Sequence, residues 1–178
     1  MRGWKGLIIV TLILSVFFHV ATIKAIPYVV MTVAKKKLME REQVGVNEVA
    51  YKKLITEDER VVIRPSPDLL YSGMIFDVSK MPLLISASVA EGQYWALNFY
   101  DMATNNFGIF DDRKIKDGKF KIILAHKDAE IKDTQGYQVL RSSGNTGIML
   151  NRIVVPDRSV SDEYQKLQHT LKVTPYIE

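Results

Sequence analysis

The chain contains no cysteine and only three histidines among its 178 residues. Without cysteine it forms no disulfide, offers no thiol nucleophile and lacks the thiolate ligands of most structural zinc sites. The histidines His19, His126 and His169 stand far apart in the sequence, so no metal-binding pair is present. We therefore expect no metal centre and no cofactor.

Familiar catalytic motifs are also lacking. No glycine-rich phosphate loop precedes a helix, and no Gly-x-Ser-x-Gly turn positions a nucleophilic serine. His126 would be a candidate general base, but its place at the end of an apolar run is more typical of a surface residue at a strand end. The sequence thus leaves open whether the protein is an enzyme and leans against it.

An excess of charge is missing from most of the chain. Residues 1–60 hold ten Lys or Arg and six Asp or Glu, whereas residues 61–178 hold fourteen of each. A nucleic-acid-binding domain would concentrate positive charge on its folded part, so a nucleic-acid partner is not expected. The net charge of +4 lies entirely in the first part of the chain, where anionic lipid headgroups are the expected partner.

What the chain does have is one long apolar run, Leu7–Ile23, with Arg2 and Lys5 before it. A bilayer core about 30 Å thick takes roughly 20 helical residues, so this run predicts a transmembrane helix. A cleaved signal peptide is the alternative, but Ile23-Lys24-Ala25 is a poor cleavage site because a bulky residue stands where a small one belongs. Residues 1–27 are therefore predicted to be an uncleaved transmembrane signal anchor that spans the bilayer once.

Residues 28–60 are predicted to be a juxtamembrane helical linker. Apolar residues recur there at three- and four-residue spacing, and the polar face carries Lys35, Lys36 and Lys37. These lysines are candidates for contact with the membrane surface. One hypothesis is that the segment acts as a lipid sensor, with its helix lying along the surface of the bilayer. A plain linker explains the pattern equally well. A second short helix is predicted within residues 47–56.

From residue 61 the pattern changes to short runs rich in Val, Ile, Tyr and Phe, separated by turn residues. Residues 61–178 are thus predicted to form a mainly β domain, an antiparallel, jelly-roll-like β-sandwich, followed by a helix over Ser161–Lys172. Asp117-Gly118 is the best hairpin signal. The eight predicted strands cover residues 61–64, 71–78, 82–89, 93–102, 106–111, 119–126, 137–142 and 147–155.

Polar residues cluster near the predicted strand ends. The cluster contains the candidate ligand residues named at the end of this paragraph and, in addition, Asn98, Asp111, Asp112 and Arg113. One interpretation places them in a polar cleft of an envelope hydrolase, or of a carbohydrate- or lipid-processing enzyme, at Asp68/Asp101. The alternative is that they shape turns and form ion pairs. Asp111 and Asp112 are adjacent, so on a strand they would point to opposite faces and share no site outside a turn. The candidate ligand residues are Arg64, Asp68, Tyr71, Asp101, Asn105, Arg141 and Arg152.

Several of these stretches resemble a bacterial family known as domain of unknown function 1254. Residues 64–72 are similar to its Arg-Pro-Asn-x-Asp-Thr-x-Tyr-Ser signature, although Leu69 replaces the usual Thr. Ser143-Gly144 likewise replaces a usual Pro-Thr pair. The other matching blocks are residues 94–107, residues 139–142 with Arg152, and residues 167–175.

The resemblance covers residues 61–175 and implies a β-sandwich. It also implies a companion protein of the family catalogued as 1214, a location in the bacterial inner membrane, and a C-terminal domain in the periplasm. It implies no established reaction. Two functions follow as hypotheses: a membrane-tethered binding or assembly module, which the sequence favours, and the envelope enzyme described above.

Overall fold

The computed structural model describes residues 3–55, 66–115 and 117–177. Two helices enclose the strands in sequence order: α1 spans Gly3–Glu42 and α2 spans Ser161–Gln168. Short 3-10 turns occupy Asp112–Lys114 and Arg158–Val160. The strands are β1 (Val49–Tyr51), β2 (Leu69–Asp77), β3 (Leu83–Ser88), β4 (Trp95–Asp101), β5 (Asn106–Asp111), β6 (Lys119–His126), β7 (Gln138–Ser142), β8 (Thr146–Val154) and β9 (Lys172–Pro175).

The strands form two sheets that pack face to face. The five-stranded sheet has the order β1-β2-β8-β4-β5, and the four-stranded sheet has the order β7-β6-β3-β9. Large side chains such as Phe76, Trp95, Phe99 and Met149 fill the space between the sheets, and each is buried. The prediction of a mainly β fold with a helix at each end is therefore confirmed. The seven predicted strands from residue 71 onward are present as β2–β8, and the strand predicted at 61–64 lies outside the described residues.

The short helix predicted within residues 47–56 is wrong. Val49–Tyr51 instead form β1, which pairs with β2. The Asn47 side chain extends this pairing by two hydrogen bonds. Its Nδ2 donates to the Asp77 backbone carbonyl at 3.0 Å, and its Oδ1 accepts from the Asp77 N–H at 2.7 Å. Helical spacing over so short a segment does not outweigh an available strand edge.

Two further differences concern pairing. β6 and β7 are parallel, whereas the other paired strands of the described sheets are antiparallel. A parallel pair needs a long connection, which residues 127–137 supply. The C-terminal helix ends at Gln168 rather than Lys172, because the following residues pair with β3 as β9.

Helix α1 has two parts with different surroundings. Its first part contains the one span, among the helices of the described residues, that is long and apolar enough to cross a membrane, and none of that span is buried. Length and composition fit either a membrane anchor or a signal sequence. At its other end, Leu38 lies about 3.4 Å from the position that a side chain at Gly73 would take, and Glu42 forms an ion pair with Lys52 at 3.0 Å.

The second part of α1 therefore packs on the outer face of the five-stranded sheet, the face turned away from the other sheet. Met31, which is buried, lies seven residues before Leu38 and so shares its side of the helix. Ile75, two residues from Gly73 on the same face of β2, is also buried although it lies outside the core between the sheets. The apolar helix is thus attached to the β domain by side-chain packing as well as by the chain.

One lateral side of the sandwich is closed and the other is open. On the closed side, the Gln168 side-chain amide donates to the carbonyls of Lys52 and Tyr71, and Tyr51 stacks on His169 with ring centroids 4.2 Å apart. The open side lies between the edge strands β5 and β7, where Gly108 faces Leu140 across the sheets. No helix among the described residues covers this open side.

Candidate functional site

A polar pocket lies on the outer face of the five-stranded sheet, beyond the part that α1 covers. Four residues align there across β2, β8, β4 and β5: Tyr71 pairs with Arg152, Arg152 with Ala96, and Ala96 with Asp111. The short Ala96 side chain leaves a depression between its longer neighbours. The resulting cavity of about 370 Å³, which we call the Ala96 pocket, is lined by Tyr94, Ala96, Asn98, Ile109, Asp111, Asp112, Arg113 and Arg152.

Three polar atoms of this pocket are buried without a hydrogen-bond partner in the described protein: Asn98 Nδ2, Arg152 Nε and Asp111 Oδ1. Asn98 is only 3% exposed, and its Oδ1 accepts from Asn106 Nδ2 at 3.2 Å. An unpaired buried polar group costs about 1–3 kcal/mol, so three such atoms in one pocket are unusual. Two donors and one acceptor without protein partners thus belong to residues that line this pocket.

An ion pair sets the charge state of the pocket. Arg113 Nη2 donates to Asp111 Oδ2 at 2.7 Å, while the Arg113 side chain remains 84% exposed at the rim. This hydrogen bond and the accompanying attraction lower the pKa of Asp111 and raise the pKa of Arg113. Asp111 is therefore ionised at neutral pH. With Asp112 and Arg152, the charges that line the pocket balance.

The lowered pKa values predict how stability depends on pH. The hydrogen bond from Arg113 lowers the pKa of Asp111, and that from the Ser79 side chain lowers the pKa of Asp77. A carboxyl group whose pKa is lower in the folded state stabilises the fold above its unfolded pKa of about 3.9, and that contribution is lost as the pH falls. We expect the Tm of the full chain in detergent to fall as the pH drops below about 4, less steeply for Asp111→Asn. A constant Tm down to about pH 3 would contradict this.

The structure separates the two carboxylates that sequence reasoning placed in one cleft. Asp68 directly precedes Leu69, which pairs with Val154, whereas Asp101 pairs with Gly147. Val154 and Gly147 are seven residue steps apart along β8, which at about 3.3 Å per residue is roughly 23 Å. Asp68 and Asp101 therefore do not share a site.

Asp101 and Asn105 shape the turn between β4 and β5. Asp101 Oδ1 accepts from the N–H groups of Ala103 and Asn105 at 2.8 and 2.9 Å, and its Oδ2 accepts from Asn105 Nδ2 at 3.0 Å. Thr104, within this turn, has a φ of 66°, which an Asx-stabilised loop can hold. These contacts use both oxygens of the carboxylate within the turn.

Arg141 has a similar local role. Its Nη1 donates to the carbonyls of His126, Lys127 and Ala129 at 3.1, 3.1 and 2.8 Å, which holds the connection between β6 and β7. The Tyr71 hydroxyl accepts from the Ser66 N–H at 3.3 Å. Tyr71 is the cross-strand neighbour of Arg152 but does not line the Ala96 pocket. Arg64 lies outside the described residues.

The three lysines proposed for the membrane surface lie on the second part of α1. Lys35 is half-buried and close enough to Asp77 to help lower its pKa, while Lys36 pairs with Glu40 at 3.7 Å. Lys36 and Lys37 are exposed. Their contact with lipid headgroups stays a prediction.

Of the six candidate ligand residues that the structure describes, only Arg152 lines the Ala96 pocket. Asn98 and Asp111 belonged to the wider group of polar residues near strand ends, but no sequence signal connected them. Asp111 and Asp112 both line the pocket because β5 ends between them and Asp112 begins a 3-10 turn. Within residues 3–55, 66–115 and 117–177, no group of three or more His, Asp or Glu is placed to hold a metal ion.

The fold and the site define a mainly β domain that follows an apolar helix and carries a polar pocket on one sheet. Residues 46–175 match the family described as protein of unknown function (DUF1254). This chain therefore belongs to that family. The match includes β1 and so begins fifteen residues before the resemblance seen in the sequence. A search of the curated proteins found no match.

Two solved structures share the fold. One is the VPA0106 protein from Vibrio parahaemolyticus, with a TM-score of 0.66 and 18% identity over 87% of this chain and 36% of that chain. The other is an uncharacterised protein from Burkholderia cenocepacia, with a TM-score of 0.52 and 15% identity over 86% of this chain and 41% of that chain. This chain thus spans about two fifths of the solved structures it matches.

Proposed function

We propose that this protein is a binding and assembly module of the bacterial inner membrane, with residues 1–27 as its single transmembrane anchor and its β-sandwich in the periplasm. Its partner would be a companion β-sandwich protein of the 1214 family. The observation that carries the proposal is that the same fold makes up only 36% and 41% of two solved chains. In those chains further polypeptide accompanies the domain, and here a separate protein would take that place.

The open side of the sandwich is the surface that suits such a partner. A groove of about 420 Å³ opens there between the sheets. Its lining is half apolar (Ile109, Phe110, Ile115, Phe120 and Ile122) and half charged or polar (Lys114, Asp117, Lys119, Lys121 and Gln138). The edges of β5 and β7 on this side pair with no further strand of the described residues. A free edge beside such a groove can accept a strand from another chain, because unpaired backbone groups gain hydrogen bonds and the exposed part of Ile109 is buried.

The position of α1 leaves this surface accessible. The helix packs on β2, and β5 is the third strand from β2 in the same sheet. With neighbouring strands about 4.8 Å apart, roughly 14 Å separates the two strands. A companion in the same membrane could therefore reach the open side without displacing the helix.

The test is to purify the full chain with its associated proteins from its native membrane and to identify them by mass. We expect a companion of the 1214 family in fixed ratio. Ile109→Asp should reduce its recovery about tenfold or more, because the companion would then bury a carboxylate where it had buried an apolar side chain. Ile109 is 53% exposed, so the fold should tolerate the change.

The matched control is Ile177→Asp, since Ile177 is 80% exposed and follows β9 at the closed side. This variant should retain the companion. Failure to recover any 1214-family protein with the wild-type chain would refute the proposal. Equal loss with both variants would refute the assignment to the open side.

A further inference from the structure

The unpaired atoms of the Ala96 pocket restrict what it can bind. Asn98 Nδ2 and Arg152 Nε both need an acceptor, whereas Asp111 Oδ1 needs a donor. A simple anion supplies no donor and would be repelled by Asp111, and a simple cation supplies no acceptor. A hydroxyl group both donates and accepts, so a molecule with several neighbouring hydroxyl groups carries both kinds of partner that these residues lack.

The positions of these residues fit a ligand that lies flat over Ala96. Arg152 on β8 and Asp111 on β5 lie on either side of Ala96. Asn98 follows Ala96 by two residues on the same face of β4, so it is the diagonal neighbour of both. The three polar side chains therefore surround Ala96 rather than lie along one line. A ring with substituents on several carbons can meet all three at once.

Apolar surface lines the pocket beside its charged and polar groups. Tyr94 is 43% exposed and Ile109 is 53% exposed, and both line the same cavity as the polar atoms. Exposed aromatic and aliphatic side chains beside hydrogen-bonding groups are typical of sites for ligands with both C–H and O–H surface. The balanced charges of Asp111, Asp112, Arg113 and Arg152 favour a neutral ligand over a charged one.

We propose that the Ala96 pocket is a saccharide-binding site that holds a neutral sugar through its hydroxyl or acetamido groups. Its volume of about 370 Å³ lies near the lower end of small-molecule sites, which span about 300–1,000 Å³, so it suits a short segment of a glycan. The pocket is formed by this chain alone. Ile109 lines both this pocket and the groove on the open side, so sugar binding is measured on the purified chain without a companion and with Ile109 unchanged.

The experiment is calorimetric titration of the full chain in a polyoxyethylene detergent, because the headgroups of maltoside detergents are themselves sugars. The probes are N,N′-diacetylchitobiose, maltotriose and mannobiose, each up to about 10 mM, with sodium phosphate as the anionic comparison. We expect saturable binding of at least one sugar and none of phosphate. Asp111→Asn should weaken that binding about tenfold, and Asp162→Asn, on α2, should leave it unchanged.

A second variant tests the pocket by filling it. Ala96→Leu extends the floor of the pocket and should abolish binding, whereas Ala90→Leu, at an exposed loop position, should not. The Tm of each variant shows whether it folds. If Ala96→Leu does not fold, the binding measured for Asp111→Asn decides whether the pocket holds the sugar. The proposal is overturned if none of the three sugars binds, if phosphate binds in their place, or if binding survives in the folded pocket variants.

Discussion

Replacement of Gly147 by alanine is expected to destabilise the fold by about 3 kcal/mol, or to prevent folding. Gly147 lies on β8 in the five-stranded sheet, where it pairs with Phe76 and Asp101. An added Cβ would overlap the carbonyl oxygen of Tyr100 and lie 2.5 Å from the Phe76 ring. A backbone carbonyl inside a sheet cannot move aside without breaking the pairing of β4 with β8.

The measurement is thermal unfolding of the full chain in detergent, with a fall in Tm of roughly 10 °C expected for a domain of this size. Gly144→Ala is the matched control, because Gly144 lies three residues earlier and nothing would lie within 4 Å of its added Cβ. Its Tm should stay within about 2 °C of the wild type. If the two variants unfold at the same temperature, the close packing at Gly147 is not present.

The second large effect is expected for Gln168→Leu. Gln168 is buried at the end of α2, and its Nε2 donates to the carbonyls of Lys52 at 3.0 Å and Tyr71 at 2.9 Å. Leucine keeps most of the volume but removes both hydrogen bonds. The Tyr71 carbonyl still accepts from the Lys52 N–H at 2.9 Å, whereas the Lys52 carbonyl loses its side-chain donor. An unsatisfied buried group costs about 1–3 kcal/mol, so the total loss is expected to be about 2 kcal/mol.

The same thermal unfolding experiment checks this change. Gln165→Leu makes a suitable comparison, because Gln165 lies on the same helix and is only half-buried. We expect a fall in Tm of roughly 6 °C for Gln168→Leu and little change for Gln165→Leu. Similar values for both variants would mean that α2 does not depend on Gln168 to close the β1/β9 side.

The strands could be predicted because their signal is local. The strand that became β8 was predicted from a short run rich in Ile, Leu, Met and Val, although its burial alternates between the core and the outer face. Turn residues mark the strand ends in the same way. The Asp117-Gly118 pair predicted a tight turn, and Gly118 does adopt a positive φ of 63°.

Strand pairing was less predictable, because it depends on residues far apart in the chain. The hairpin predicted at Asp117-Gly118 is wrong, since β5 and β6 on either side of the turn belong to different sheets. A turn sets the direction of the chain, but hydrogen-bond partners follow from how both sheets bury their apolar faces. β1 and β9 were missed for the same reason, because each is short and forms against a strand distant in sequence.

The sequence by itself determined the class of this protein: an apolar helix, a mainly β domain with balanced charge, and membership of a family that its motifs already indicated. These properties depend on composition and local periodicity, which need no partner segment. Only the tertiary structure decided the packing of α1 on β2 and the composition of the Ala96 pocket. Asn98, Asp111 and Arg152 come from three strands, and only the register of those strands around a small residue brings their unpaired atoms together.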